Sequence, residues 1–513
     1  MGRVRLGAVL LFGCVLGCCP AMADTAILRS KPALLRMSYE VLDVGPDETM
    51  GLAGVNYLVN VSPDWYVGAS GYGALQGERG GFFAGGFTVG TGKRFASKWS
   101  IDTGLFVGGG GGGAAPQGGG LMLRPYLDIS RDVGRVMLGA GVSYVTFPNG
   151  DIESTQLNLT LGIPFDLYYG RARDAGMIVS ESDLFGLKVQ ESEWLATLGE
   201  YRPAGGARTT ANSDMTAALK WVGFEYRVHL DPHRYLFVEA AGAIDGEYDG
   251  YAELLAGAGY RVPLFSPRFH LNASLAAGGA GGGQVDTEGG LVGKATLGLD
   301  YHLTDSLKLE LEGGRIESAG RFSANFYALN LGYLLGEIAT DARDQSWQSG
   351  AETRLAKWRL TGSVSTSFDA ARKNGSDQDL SLIGLKIEKF LTQSVYLTGQ
   401  AQGAFAGDAG GYAVGLVGAG WEIPLREDGR LSFNAEFAAG AAGGGGVDVG
   451  GGAIVQPQLG LTWRLNDQFS ACLEAGRVKA LDGELDSRVV GVGLKLEFSR
   501  PEYHRESGMN NAN

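Results

Sequence analysis

Three stretches of this chain repeat one another without a gap. They read WSIDTGLFVGGGGGGAAPQGGGL (99–121), FHLNASLAAGGAGGGQVDTEGGL (269–291) and LSFNAEFAAGAAGGGGVDVGGGA (431–453). The similarity continues upstream, where GFFAGGFTVGTGKRF (81–95), GYAELLAGAGYRVPL (250–264) and GYAVGLVGAGWEIPL (411–425) correspond. Downstream, LELEGGRI (309–316) corresponds to ACLEAGRV (471–478). A flexible Gly-rich linker has no reason to recur in register inside three similar contexts. The spacing, about 160–170 residues, is too long for a solenoid unit and has the size of a domain. Gly accounts for 85 of the 513 residues. The repetition makes those glycines part of an architecture, as hairpin tips and the strand ends that enter them, where a missing side chain permits a sharp bend or a close backbone approach.

The segments that follow each Gly run alternate with period two. In 453–465, Ala453, Val455, Pro457, Leu459, Leu461, Trp463 and Leu465 share one parity, and Ile454, Gln456, Gln458, Thr462 and Arg464 the other. The counterparts keep the parity: Leu297 and Leu299 against Lys294 and Asp300, and Leu127 and Ile129 against Arg124 and Asp128. Leu157, Leu159 and Leu161 oppose Gln156, Asn158 and Thr160, and Val490, Val492 and Leu494 oppose Lys495 and Glu497. In the first repeat, strands are expected near 34–43, 50–61, 65–75, 81–94, 99–110, 118–130, 136–147 and 155–168. Comparable sets in the other two give about 24 antiparallel strands in three homologous eight-stranded repeats. Pro125 and Pro457 stand mid-strand, where each removes a ladder donor. Ser62-Pro63-Asp64, Ala96-Ser97-Lys98 and Ser130-Arg131-Asp132 are expected as short turns at one end, with longer Gly-rich connections at the other.

The N-terminus reads as an export signal: Arg3 and Arg5, an apolar run from Leu6, then Ala21-Met22-Ala23. Val15-Leu16-Gly17-Cys18 offers the alternative of lipid attachment at Cys18. Only Cys472 lies beyond that region, so no internal disulfide or Cys metal cluster is expected. The formal net charge of −13 disfavours nucleic acid as a partner. After the signal no run of apolar residues is long enough for a membrane helix, yet charged residues make up only 19%. That combination leaves a closed β-barrel as the spanning architecture, since its strands need only alternate. With the signal, the alternating strands and the last strand RVVGVGLKLEF (488–498), the chain resembles Gram-negative outer-membrane β-barrel proteins of the porin-like kind. It departs from their pattern in one respect: residues 499–513 follow Phe498, where the aromatic is usually terminal. The resemblance implies residence in the outer membrane, lipid and lipopolysaccharide as surroundings, and the assembly machinery as a partner during insertion. It carries over no functional residue.

The expected organisation is signal peptide 1–23, barrel repeats 24–178, 179–345 and 346–498, and a polar tail 499–513. One large barrel is favoured over three tandem eight-stranded barrels, because duplication within a continuous sheet adds strands to one wall. A large barrel encloses water, so the expected function is passage of small polar solutes. Arg124, Asp128, Lys294, Asp300, Glu312 and Glu474 would line that lumen. The alternative is a structural or surface-interaction protein of packed barrels without a pore. The turn at 281–290 faintly resembles a Gly/Asp calcium motif, but single copies cannot assemble the stacked site such motifs need, so a hairpin tip is expected. Glu312 with Arg315, and Glu474 with Arg477, are expected as ordinary ion pairs. Four of five histidines (His229, His233, His270, His302, with His504 apart) fall in the second repeat. No nucleophile motif accompanies them, so they are expected as dispersed surface residues. No enzyme activity, cofactor or metal is expected.

Overall fold

The computed structural model describes residues 27–180, 188–339 and 352–504. The expected signal at 1–23, with Cys18, and the expected boundary at 345/346 lie outside the described residues. Alternation produces strands throughout. The first eight are β1 (Arg29–Gly45), β2 (Glu48–Asn60), β3 (Trp65–Gln76), β4 (Phe83–Ala96), β5 (Trp99–Gly111), β6 (Leu121–Val133), β7 (Val136–Thr146) and β8 (Glu153–Arg171). Next come β9 (Lys188–Pro203), β10 (Leu219–His229), β11 (Arg234–Asp245), β12 (Ala252–Leu264), β13 (Ser266–Gly281), β14 (Leu291–His302), β15 (Leu307–Ser318) and β16 (Ser323–Ala339). The last are β17 (Glu352–Ala371), β18 (Asp377–Phe390), β19 (Val395–Ala406), β20 (Ala413–Pro424), β21 (Leu431–Gly443), β22 (Ala453–Arg464), β23 (Phe469–Ala480) and β24 (Asp486–His504).

Within each set of eight, every strand pairs antiparallel with the next, and the ladder closes on itself at the eighth. β8 returns to β1, with Tyr39 opposite Leu159. β16 returns to β9, with Asn330 opposite Thr197. β24 returns to β17, with Val364 opposite Val492. The expectation of one large barrel is therefore corrected: the strands form three closed rings. Alternation reads the same in either arrangement. Closure is decided by ring size, because an eight-stranded ring has an interior just wide enough for side chains to fill. These strands supply bulky inward residues.

Two smaller differences have local causes. Ser130, Arg131 and Asp132 lie within β6, and the turn falls at Gly134 and Arg135, where Gly134 takes φ +70. The polar tail expected from Ser499 begins as strand, since β24 continues to His504 against β17. Pro125 and Pro457 are tolerated because each faces a gap in one ladder. β6 pairs Leu123 with Thr146 and Tyr126 with Ser143, skipping the proline, and β22 likewise pairs Val455 with Lys479 and Gln458 with Gly476.

Outward-facing residues are apolar and bare. Leu157 is 78% exposed, Leu275 70%, Leu311 67% and Leu297 64%. Exposed Trp65, Phe95, Trp99, Trp421 and Trp463 gather at the short-turn ends of their strands.

The glycine runs join the rings. Gly81, Gly250 and Gly411 occupy one aligned sequence position, and Gly112, Gly282 and Gly444 another. A Cβ on Gly81 would stand 2.1 Å from the Gly282 nitrogen, one on Gly250 2.9 Å from that of Gly444, and one on Gly411 2.8 Å from that of Gly112. Each contact joins the β3–β4-type hairpin of one ring to the β5–β6-type hairpin of another, and the third returns to the first. Such a head-to-tail contact closes when its rotation completes a circle. Backbone bonds seal two of the junctions: Gly80 N–H to the Glu288 carbonyl at 2.8 Å, and Gly410 N–H to the Gly118 carbonyl at 3.1 Å. At the other end, the extension of β24 also bridges the rings, pairing Ser499 with Gly170 of β8 and Glu502 with Glu337 of β16. Trp358, facing outward from the third ring, is buried there against Trp194 of the second, ring centroids 5.1 Å apart, and donates to Glu502 at 3.0 Å.

Candidate functional site: the charged barrel interiors

Each ring is filled in two storeys. The half toward the long hairpins holds an apolar cluster. It contains Leu42, Met50, Phe82, Phe106 and Phe147 in the first ring, Tyr201, Trp221, Tyr251, Phe322 and Phe326 in the second, and Leu380, Tyr412, Val449 and Leu485 in the third. Hairpin tips cap these clusters: Ala115, Val285 and Val447, at one aligned position, are all buried. The segment 281–290 is thus the tip of the β13–β14 hairpin, with the Asp286 carboxylate accepting from the Glu288 N–H at 3.2 Å.

From the edge of that cluster to the short turns, the interior holds charge. In the first ring the Arg124 guanidinium grips Glu40 with two bonds of 2.7 and 2.9 Å, and Ser143 donates to the same carboxylate. Arg36 pairs with Asp102 at 2.7 Å and stands 3.7 Å from Asp128, with its guanidinium over the Tyr126 ring. In the second ring Glu193 is the hub, with Lys308 at 2.5 Å, His229 at 2.9 Å, Arg261 at 3.1 Å and Arg227 at 3.8 Å. Lys294 pairs with Glu239 at 2.6 Å and lies over the Trp221 and Phe326 rings. In the third ring Arg359 meets Glu422 at 2.8 Å and Glu388 at 3.2 Å, and Lys386 meets Glu474 at 3.0 Å and Glu436 at 3.2 Å. Charges taken out of water require partners, and these have them.

All six residues expected on the lumen face point into rings. Arg124, Asp128, Lys294, Asp300 and Glu312 are buried, and Glu474 nearly so. They do not share one lumen. Arg124 and Asp128 belong to the first ring, Lys294, Asp300 and Glu312 to the second, and Glu474 to the third. The expected Glu312–Arg315 and Glu474–Arg477 pairs are corrected. A three-residue spacing puts the partners on opposite faces of a strand, and Arg315 bonds Glu317 while Arg477 bonds Asp486. Two histidines of the second ring are not dispersed: His270 and His302 converge, ring centroids 5.0 Å apart. The partners Glu40, Glu193, Lys308, Arg359 and Lys386 were missed, although the same parity rule, applied to every strand, marks them as inward.

An interior void beside Ser365, Gln402, Gln458 and Glu474 measures about 10 Å³, room for no more than one water. A groove of about 610 Å³ lies instead on the outer face of the third ring, lined by Val395, Trp421, Phe437 and Leu459.

No protein-family profile matches the chain, and no curated protein matches it in sequence. Among solved structures it is similar to the outer membrane protein opdK from Pseudomonas aeruginosa, at 10% identity and a TM-score of 0.23, covering 92% of this chain and 98% of that one. It is also similar to the siderophore receptor PirA from Acinetobacter baumannii, at 8% identity and a TM-score of 0.28, covering 93% and 81%. Likenesses this loose carry no argument, and the architecture rests on the strand pairing described above.

Proposed function

We propose that this chain is a non-conducting outer-membrane protein, three plugged barrels joined into one unit, with a structural or surface-interaction role at the membrane faces. The observation that carries this reading is the double filling of each ring, apolar toward the long hairpins and ion-paired from the edge of that cluster to the short turns. Passage of small polar solutes was expected because a large ring holds water, and closure at eight strands removes that premise. Membrane residence is supported by the bare apolar belt and by the aromatics at the short-turn ends, which match the girdle of outer-membrane barrels. The short turns then face the periplasm and the long hairpins the exterior. The three rings are read as copies of one unit, since their aligned glycines play equivalent parts.

Two measurements test this. Folded protein in planar bilayers is expected to give no discrete conductance steps; reproducible steps would overturn the plugged-barrel reading. Leu297→Arg, in the middle of β14 on the bare face, is expected to cost about 2–4 kcal/mol of stability in lipid. A soluble protein would tolerate that substitution at an exposed site, so an unchanged unfolding midpoint in lipid would overturn the membrane assignment.

A further inference from the structure

The short-turn mouth of the second ring contains a group that neither the plug nor the membrane belt explains. His270 begins the inward-facing part of β13, and Asp300 and His302 end β14. The β13–β14 ladder sets His270 directly opposite Asp300, and the two-residue step along β14 brings His302 to the same face. His270 Nδ1 lies 3.0 Å from Asp300 Oδ1, and His302 Nε2 lies 3.7 Å from that same oxygen. One ligand atom from each of the three residues falls within 4.8 Å of the others. We propose that His270, Asp300 and His302 form a binding site for a divalent transition-metal cation of the zinc class, at the periplasmic mouth of the second barrel.

The chemistry of the donors fits. Two imidazoles and a carboxylate suit borderline cations, and a zinc ion with ligands at about 2.0–2.1 Å holds its donors about 3.3 Å apart. The observed separations bracket that value, so small side-chain rotations complete the site. His302 Nε2 is buried and makes no hydrogen bond among the described residues, the state of a ligand atom whose lone pair awaits an acceptor. The other carboxylate oxygen is already fixed. Asn272 donates to Oδ2 at 2.8 Å and Lys308 stands 3.5 Å from it, which leaves Oδ1 aimed between the imidazoles. Supports of this kind orient metal-binding carboxylates. The positive charge of Lys308 is drawn off by Glu193 at 2.5 Å and Glu310 at 3.2 Å. Both imidazoles keep some solvent exposure, 14% and 17%, which gives an ion a way in. A neighbouring trio, Glu191, Glu193 and His229, is also compact. It is the poorer host, because Lys308, Arg261 and Arg227 already surround Glu193.

The test is titration of the purified full-length protein in detergent with Co²⁺ alone, followed by Zn²⁺. The expected result is a visible absorption band that saturates at one equivalent and is abolished when Zn²⁺ displaces the cobalt. His270→Gln and His302→Ala are each expected to weaken binding at least about 10-fold, since each removes a ligand. His233→Ala is expected to leave it unchanged, because His233 Nδ1 contacts only the Arg261 backbone carbonyl. Heat-modifiable gel migration selects folded variants, and His302→Gln replaces any alanine variant that fails this criterion. No saturable band, or binding by the His270 and His302 variants as tight as by the unaltered protein, would overturn the proposal. So would loss of binding in His233→Ala.

Discussion

Arg124→Ala is expected to destabilise the first barrel by about 3–5 kcal/mol, read as a shift in the urea unfolding midpoint of the protein in lipid vesicles. The size of the effect comes from what the substitution leaves behind. Glu40 and Arg124 are both almost fully buried, and the guanidinium supplies both strong bonds to that carboxylate. With the arginine gone, Glu40 keeps Ser143 and a distant Gln156 at 3.4 Å, which cannot offset a buried negative charge. Arg124 also covers the Tyr72 and Tyr126 rings, so packing is lost with the charge. The double variant Glu40→Gln with Arg124→Met removes both charges and keeps most of the volume. It is expected to recover most of the loss, because a matched apolar replacement of a buried pair is close to neutral. A single variant without effect would show that water reaches Glu40, and the plugged interior would fall with it.

Gly81→Ala is expected to cost about 2–4 kcal/mol, combining a left-handed backbone with a backbone clash. Gly81 has φ +85, and its Cβ would lie 2.1 Å from the nitrogen of Gly282 in the neighbouring ring, an atom that cannot swing aside. The first sign is expected to be easier separation of the rings, detected by proteolysis at the hairpins, with each ring still heat-modifiable. Gly85→Ala provides the control, since a Cβ there meets nothing within 4 Å and its φ is ordinary. Equal behaviour of the two variants would show that the glycine junction does not hold the rings together. Gly250 and Gly411 stand in equivalent contacts, so combined substitutions are expected to be non-additive within the shared junction.

Much of the fold was legible because alternation is a local property. The parity that sets Leu127 and Ile129 against Arg124 and Asp128 is the parity by which the structure exposes the first pair and buries the second. The strand count was legible for the same reason, and so was the conversion of the Gly runs from linkers to hairpins. The candidate metal cluster was not. His270 and His302 are separated by a whole hairpin, and only the register that sets His270 opposite Asp300 brings them together. The ion pairs were half legible. An inward Lys294 announces that it needs an acid, but nothing local to β14 says that Glu239, three strands away, provides it.

By itself, then, the sequence determined an all-strand chain with one apolar and one polar face per strand, and three matching glycine-rich hairpins. Those follow from residue type and spacing, which act over a few neighbours. Tertiary structure alone decided that the ladder closes after eight strands, that the polar faces meet as ion pairs with no shared lumen, and that the glycines of one hairpin lie against the next ring. These are outcomes of closure. A strand's last partner is chosen by how well a whole ring fills its own interior, and that quantity belongs to no single stretch of the chain.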